Sequence, residues 1–166
     1  MRDLADSTGV TTASLYNAFG DKRALYRLVL DRYVRLALTA CAEIFGGERP
    51  AVGALECYFD ALIEEALADT LQKGCFVVNT ALEVAPHDAD FRDLVTNVFD
   101  QIEKYLRDCI VSGQSDGTIR TKLPAADLAR LFLGATLGIR VLARTRSERE
   151  LLTGVVRPLF ALLRTT

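Results

Sequence analysis

The sequence of 166 residues predicts an all-α protein, and three observations carry the prediction. Apolar side chains recur three and four positions apart through most of the chain, no stretch shows the alternation of a half-buried strand, and the breaks hold capping residues, glycine or proline. Hydrophobic residues make up 50% of the chain and charged residues 25%, enough for one well-buried core and short for two independent domains. The expected organisation is a small head with its connecting helix over 1–45, appended to a helical body over 46–166.

The first elements are short. Leu4 and Ala5 supply apolar contacts in a helix that Gly9 ends, because glycine adopts positive φ without a Cβ penalty. Thr11 is a helix N-cap, and Val10, Leu15 and Phe19 carry the buried side onward. Asp21 caps a long helix through Leu25, Leu28, Val29, Tyr33, Leu36 and Ala40 to about Phe45, where Gly46, Gly47 and Pro50 stop it. A helix over 51–71 places Val52, Leu55, Phe59, Leu62, Ile63 and Ala66 on one face, and Gln72, Lys73 and Gly74 break it. Cys75 to Val84 reads as a shorter, nearly all-apolar helix buried on most sides and closed by Pro86. Asp88 caps the next, in which Phe91, Leu94, Val95, Val98, Phe99, Ile102 and Leu106 repeat up to Gly113. Pro124 opens a helix lined by Leu128, Leu131, Phe132, Ala135, Ile139 and Leu142, with Gly134 and Gly138 allowing close approach. Ser147-Glu148-Arg149-Glu150 matches a capping box and starts the last helix, carrying Leu151, Leu152, Val155, Val156, Leu159, Phe160, Leu162 and Leu163, with Pro158 expected to kink it.

Two short helices around a glycine turn are a helix-turn-helix pattern, whose second helix can lie in a DNA major groove. The residues Asp3-Leu4-Ala5, Gly9-Val10-Thr11 and Ser14-Leu15-Tyr16-Asn17-Ala18-Phe19-Gly20-Asp21-Lys22-Arg23-Ala24-Leu25 closely resemble the DNA-binding signature of TetR/AcrR-type transcriptional regulators. The Tyr-x-x-Phe-x-x-Lys continuation is the specific part. Gly74-Cys75-Phe76-Val77-Val78-Asn79, followed by Glu83, Pro86 and His87, resembles the body of one subgroup, so the likeness extends over nearly the whole chain. The family head is a three-helix unit, and against it this chain opens at the second helix; the expectation is a head whose first helix is missing.

By position in the family motif, Thr12, Ala13 and Ser14 are expected at base edges, and Thr11, Tyr16, Asn17 and Lys22 at phosphates of a double-stranded operator, with packing as the alternative role for Tyr16. The resemblance implies a homodimer through the last two helices, with Leu128, Leu131, Phe132, Ala135, Ile139, Leu142, Leu152, Val155, Val156 and Leu159 at the interface; the alternative is that both helices complete the monomer core. It further implies a ligand-responsive regulator of repressor type, reading a palindromic site. A small, partly apolar effector would enter the body near Phe59, Ile63, Cys75, Phe76, Asn79, Phe99 and Ile102, although an aromatic stripe at helical spacing is also ordinary core. The competing reading is a helical dimer that binds a small molecule and has lost DNA binding.

Charge agrees in direction. The net charge is −2, but residues 1–35 hold six basic side chains against four acidic, and the remainder fourteen against eighteen. The single histidine, His87, the absence of a glycine-rich phosphate loop or serine elbow, and four scattered cysteines without Cys-x-x-Cys argue against an enzyme, a cofactor and a metal site. Cys41, Cys57, Cys75 and Cys109 are expected as thiols of a cytoplasmic protein, with Cys75 at a helix start as a candidate reactive one. No apolar run reaches the roughly 18 residues of a membrane span.

Overall fold

The structure is a computed structural model that describes residues 1–164. The described residues form eight α-helices: α1 (Arg2–Thr8), α2 (Thr12–Phe19), α3 (Lys22–Phe45), α4 (Ala51–Ala68), α5 (Phe76–Glu83), α6 (Ala89–Asp116), α7 (Ala125–Leu142) and α8 (Arg149–Arg164). They divide into two compact units, Met1–Leu36 and the residues from Ala37 onward. The division falls inside α3 rather than after Phe45, because Cys41, Ile44 and Phe45 already pack with the body core.

In the first unit α1 packs against α2. Gly9 takes the left-handed conformation at φ 70° and ends α1, its amide donating to the Ala5 carbonyl. Ala5, Leu15 and Leu30 are buried. Leu4 and Val10, expected on the buried side, are instead 43% and 41% exposed. Two helices of seven and eight residues cover only the faces they turn to each other.

In the second unit α6 packs on α4, α5 and α7, and α8 packs on α4 and α7. Leu55, Phe59, Leu106, Ile110, Leu128, Phe132, Ile139, Leu152 and Leu163 are essentially inaccessible to water. Three phenylalanines from α4, α7 and α8 meet edge to face at the centre: Phe59 lies 5.7 Å from Phe132, and Phe160 lies 6.2 Å and 6.0 Å from the two.

Several boundaries differ from the sequence expectation for local reasons. α4 ends at Ala68 rather than 71, because the Asp69 carboxylate accepts the Gly74 amide at 2.7 Å and turns the chain, leaving Leu71 in solvent. α5 is shorter than 75–84 and buries one face only; Val77, Val78 and Thr80 are buried while Leu82 is 64% exposed. α6 continues past Gly113 to Asp116, since Gly113 is a core contact: a Cβ there would stand 2.7 Å from Ala51 and Ile119. Ser147 does not form a capping box. Its hydroxyl donates to the Ala66 carbonyl at 2.9 Å, fastening the α7–α8 turn to the end of α4. Pro158 sits inside α8 on its exposed side, and the helix runs on through it. Among the described residues no helix is long and apolar enough to cross a membrane.

Candidate functional site

The head is built on local capping. Thr11 has extended backbone, and its Oγ1 accepts the Ser14 amide at 3.1 Å, which satisfies one of the free donors at the α2 N-terminus. The two hydroxyls, of Thr11 and Ser14, lie 2.9 Å apart. Thr12 is half-buried beside them, while Thr11, Ala13 and Ser14 are exposed. Tyr16 is 46% exposed, and Asn17 is exposed on the same helix. Gly20, at φ 81°, turns the chain into Asp21, whose carboxylate accepts the Ala24 amide at 2.7 Å and starts α3. Lys22 is exposed in the first turn of α3. The seven residues expected to meet nucleic acid thus lie on one short, capped segment, six of them exposed and Thr12 partly so.

The expected interface residues divide. Leu128, Phe132, Ile139, Leu152, Val156 and Leu159 are buried within the protomer at 0 to 6% exposure, so they have almost no surface left to give a partner. For these six the assignment is corrected to the protomer core. Leu131 is 46% exposed, and Ala135, Leu142 and Val155 are half-buried. Around them lie surface positions that periodicity alone did not single out as interface: Val141 and Leu162 are exposed, and a Cβ added at Gly134, Gly138 or Gly154 would meet nothing. The signal was present in the pairing of small residues with Leu131 at spacings of three, four and seven.

The expected effector residues are not gathered around one cavity. Phe59 and Ile63 turn toward α8, where with Val156 and Phe160 they floor a groove of about 310 Å³ rimmed by Glu56, Asp60, Thr153 and Arg157. Cys75 is buried as the residue preceding α5 and makes no side-chain cap. Phe76, Phe99 and Ile102 are half-buried on α5 and α6, which pack together. Asn79 is engaged on both ends of its amide: Nδ2 donates to the Lys73 carbonyl at 2.9 Å, and Oδ1 accepts from Arg144 at 3.0 Å. It ties elements together rather than facing a void.

Burial pushes the Cys109 thiol up to about 11, with Asp116 adding to the shift, and the Tyr58 phenol up to about 12; it raises Cys41 as well. These groups are neutral at pH 7 and have the character of core residues. Three carboxylates go the other way. Arg149 holds Glu64 below the ordinary range through a bidentate pair at 2.6 and 2.9 Å, the Gly74 amide does so for Asp69, and Thr118 for Asp116. A carboxylate whose folded pKa is depressed contributes stability above its unfolded pKa and loses it as pH falls through the folded value. The thermal midpoint should therefore be flat near neutrality and fall below about pH 4. A midpoint unchanged from there down to strongly acidic pH would contradict these three assignments.

Comparison with known proteins places this geometry. The family described as "Tetracyclin repressor-like, C-terminal domain" matches residues 51–159. The chain is 28% identical over 151 residues to the HTH-type transcriptional repressor ComR of Escherichia coli (strain K12), covering 90% of this chain and 72% of that protein. It is 30% identical over 152 residues to the HTH-type transcriptional repressor DhaR of Mycobacterium sp. (strain GP1), covering 90% and 74%. Among solved structures it is similar to a cysteine-substituted CifR, a TetR family transcriptional regulator complexed with 26-bp double-strand operator DNA, with a TM-score of 0.81, 26% identity, and coverage of 97% of this chain and 85% of that one. A TetR transcriptional regulator from Chloroflexus aurantiacus J-10-FL shares the fold, with a TM-score of 0.83, 23% identity, and coverage of 99% and 83%.

Proposed function

The chain belongs to the TetR family of transcriptional regulators, and on that footing we propose that it is a repressor that binds a palindromic operator as a homodimer and is released by a small effector. The observation that carries this reading is the Thr11-capped helix α2, which holds Ala13 and Ser14 in solvent at the end where a groove-reading helix meets base edges. Thr12, Ala13 and Ser14 read bases, while Thr11, Tyr16, Asn17 and Lys22 hold phosphates. The likeness to a TetR family regulator solved with operator DNA supports the same assignment.

Dimerisation uses the remaining apolar surface of α7 and α8: Leu131, Ala135, Leu142 and Val155, extended by Val141, Leu162 and the open glycines. Small residues at exposed positions let helices of two protomers approach closely. A twofold axis then repeats the head, and symmetry in the protein becomes palindromy in the site. The effector is partly apolar and enters the body beside Cys75, Phe76, Phe99 and Ile102; it acts by binding one arrangement of the dimer better than the other.

The reading is tested on DNA from upstream of the protein's own gene, titrated across a salt series. Lys22→Ala should weaken binding at every sequence and lower the slope of log affinity against log salt by about one unit. Ser14→Ala should instead weaken the specific site more than random DNA. Equal affinity for upstream and random DNA in the unsubstituted protein, across the salt series, would overturn the assignment.

A further inference from the structure

Asn79 is a half-buried polar residue of α5, and its side-chain partner comes from 65 positions further along the chain. Arg144 lies just past the end of α7, in the turn that leads to α8. Its guanidinium donates to Asn79 Oδ1 at 3.0 Å, and its aliphatic stem lies over Gly74, where a Cβ would stand 2.8 Å from Arg144 Cδ. Gly74, at φ 69°, is held in turn by Asp69, and the Lys73 carbonyl accepts from Asn79. One side chain therefore spans the 69–75 turn, the first half of α5 and the end of α7.

The other side of that turn is fastened differently. Ser147 bonds the Ala66 carbonyl, Arg149 pairs with Glu64, and Arg140 pairs with Glu65 at 2.7 Å, so α4 and the α7–α8 turn are riveted at three points along one helical turn. α5 packs on α6 and α7 but not on α4. A shift of α5 therefore has a direct route to the α7–α8 turn through Arg144, beside the routes through α6, through the packing of α5 on α7 and along the 69–75 turn to α4.

We propose that the Asn79–Arg144 contact is a positioning strap that couples α5 to the α7–α8 pair, so that a displacement of α5 changes the end of α7. Its purpose rests on the reading above, in which α5 lines the effector site and α7–α8 forms the dimer. The coupling itself is a property of the isolated protein and needs neither effector nor DNA. Arg144 is exposed, and its side chain is not among the proposed DNA or interface residues; its amide bond to the Val141 carbonyl belongs to the backbone and survives a side-chain substitution. Asp69 supports the strap by fixing Gly74, and its carboxylate stays ionised at neutral pH because the Gly74 amide favours the charged form.

The test is a cycle read by amide hydrogen exchange on the full chain. Val78→Ala loosens α5 from its buried side; Leu82→Gly, on the exposed side, does so without touching the core. Either should speed exchange at the last turn of α7 and the first turn of α8 by about threefold or more. In an Arg144→Met or Asn79→Ala background the same change should add less than half that factor there, and Arg144→Lys, which keeps a donor, should restore most of it. A contact that merely adds stability would leave the α5 effect on α7–α8 equal in both backgrounds, and that result overturns the strap. Titration with the upstream DNA separates the two readings: coupled exchange without specific DNA binding sinks the repressor assignment alone, and specific binding with additive exchange sinks the strap alone.

Discussion

Phe132→Ala should destabilise the helical body by about 3–5 kcal/mol, the usual range for deleting a fully buried aromatic ring. Phe132 has no exposed surface and stands between Phe59 of α4 and Phe160 of α8, edge to face with both. Removing the ring loses its transfer term, leaves a cavity bounded by three helices, and breaks two aromatic contacts worth about 0.5–1.5 kcal/mol each. A loss of that size consumes a large part of a domain's net stability of roughly 5–15 kcal/mol. Denaturant titration with a two-state fit reads it; a midpoint within experimental error of the unsubstituted protein would show that the three rings do not form the centre of the core. Phe132→Leu, which keeps most of the volume, should lose much less.

The second large effect is on assembly. Leu131→Asp places a charge on the proposed interface, where no partner for it exists, and burying an unpaired carboxylate there costs several kcal/mol. Sedimentation equilibrium should give a species of 18.2 kDa for the variant and about twice that for the unsubstituted protein. The monomer keeps its capped α2 but engages one half-site, so operator affinity should fall by about 10²–10⁴, the factor that joining two sites supplies. Leu131 is 46% exposed and outside the buried core, so thermal stability at high protein concentration separates the outcomes: a variant that unfolds shows the residue is structural, and one that stays dimeric places the interface elsewhere.

Both predictions depend on residues that one stretch of sequence could not tell apart. Leu131 and Phe132 are neighbours on α7 with the same apolar character, yet one faces solvent and the other the core. Counting positions along a helix places residues on a face; which face is covered, and by which helix, depends on elements far away in the chain. For the same reason Phe59 and Ile63 line a groove beside α8 rather than one cavity shared with Cys75, Phe76, Phe99 and Ile102, and Asn79 bonds an arginine.

The head shows the opposite case. Thr11 capping Ser14, Gly9 at positive φ and Asp21 capping Ala24 were all legible beforehand, since each is an interaction among residues three or four apart that needs nothing beyond the local backbone. Helix ends were misjudged where a longer reach intervened, as when Ser147 took the Ala66 carbonyl in place of its own helix's amide.

The amino-acid order by itself determined the helical class, most caps and breaks, and the candidate groove-reading segment, because those rest on contacts within one or two helical turns. Tertiary structure alone decided which apolar residues are spent on the protomer core and which stay open to a partner. Burial is set by the packing of whole helices against one another, and no local pattern contains that information.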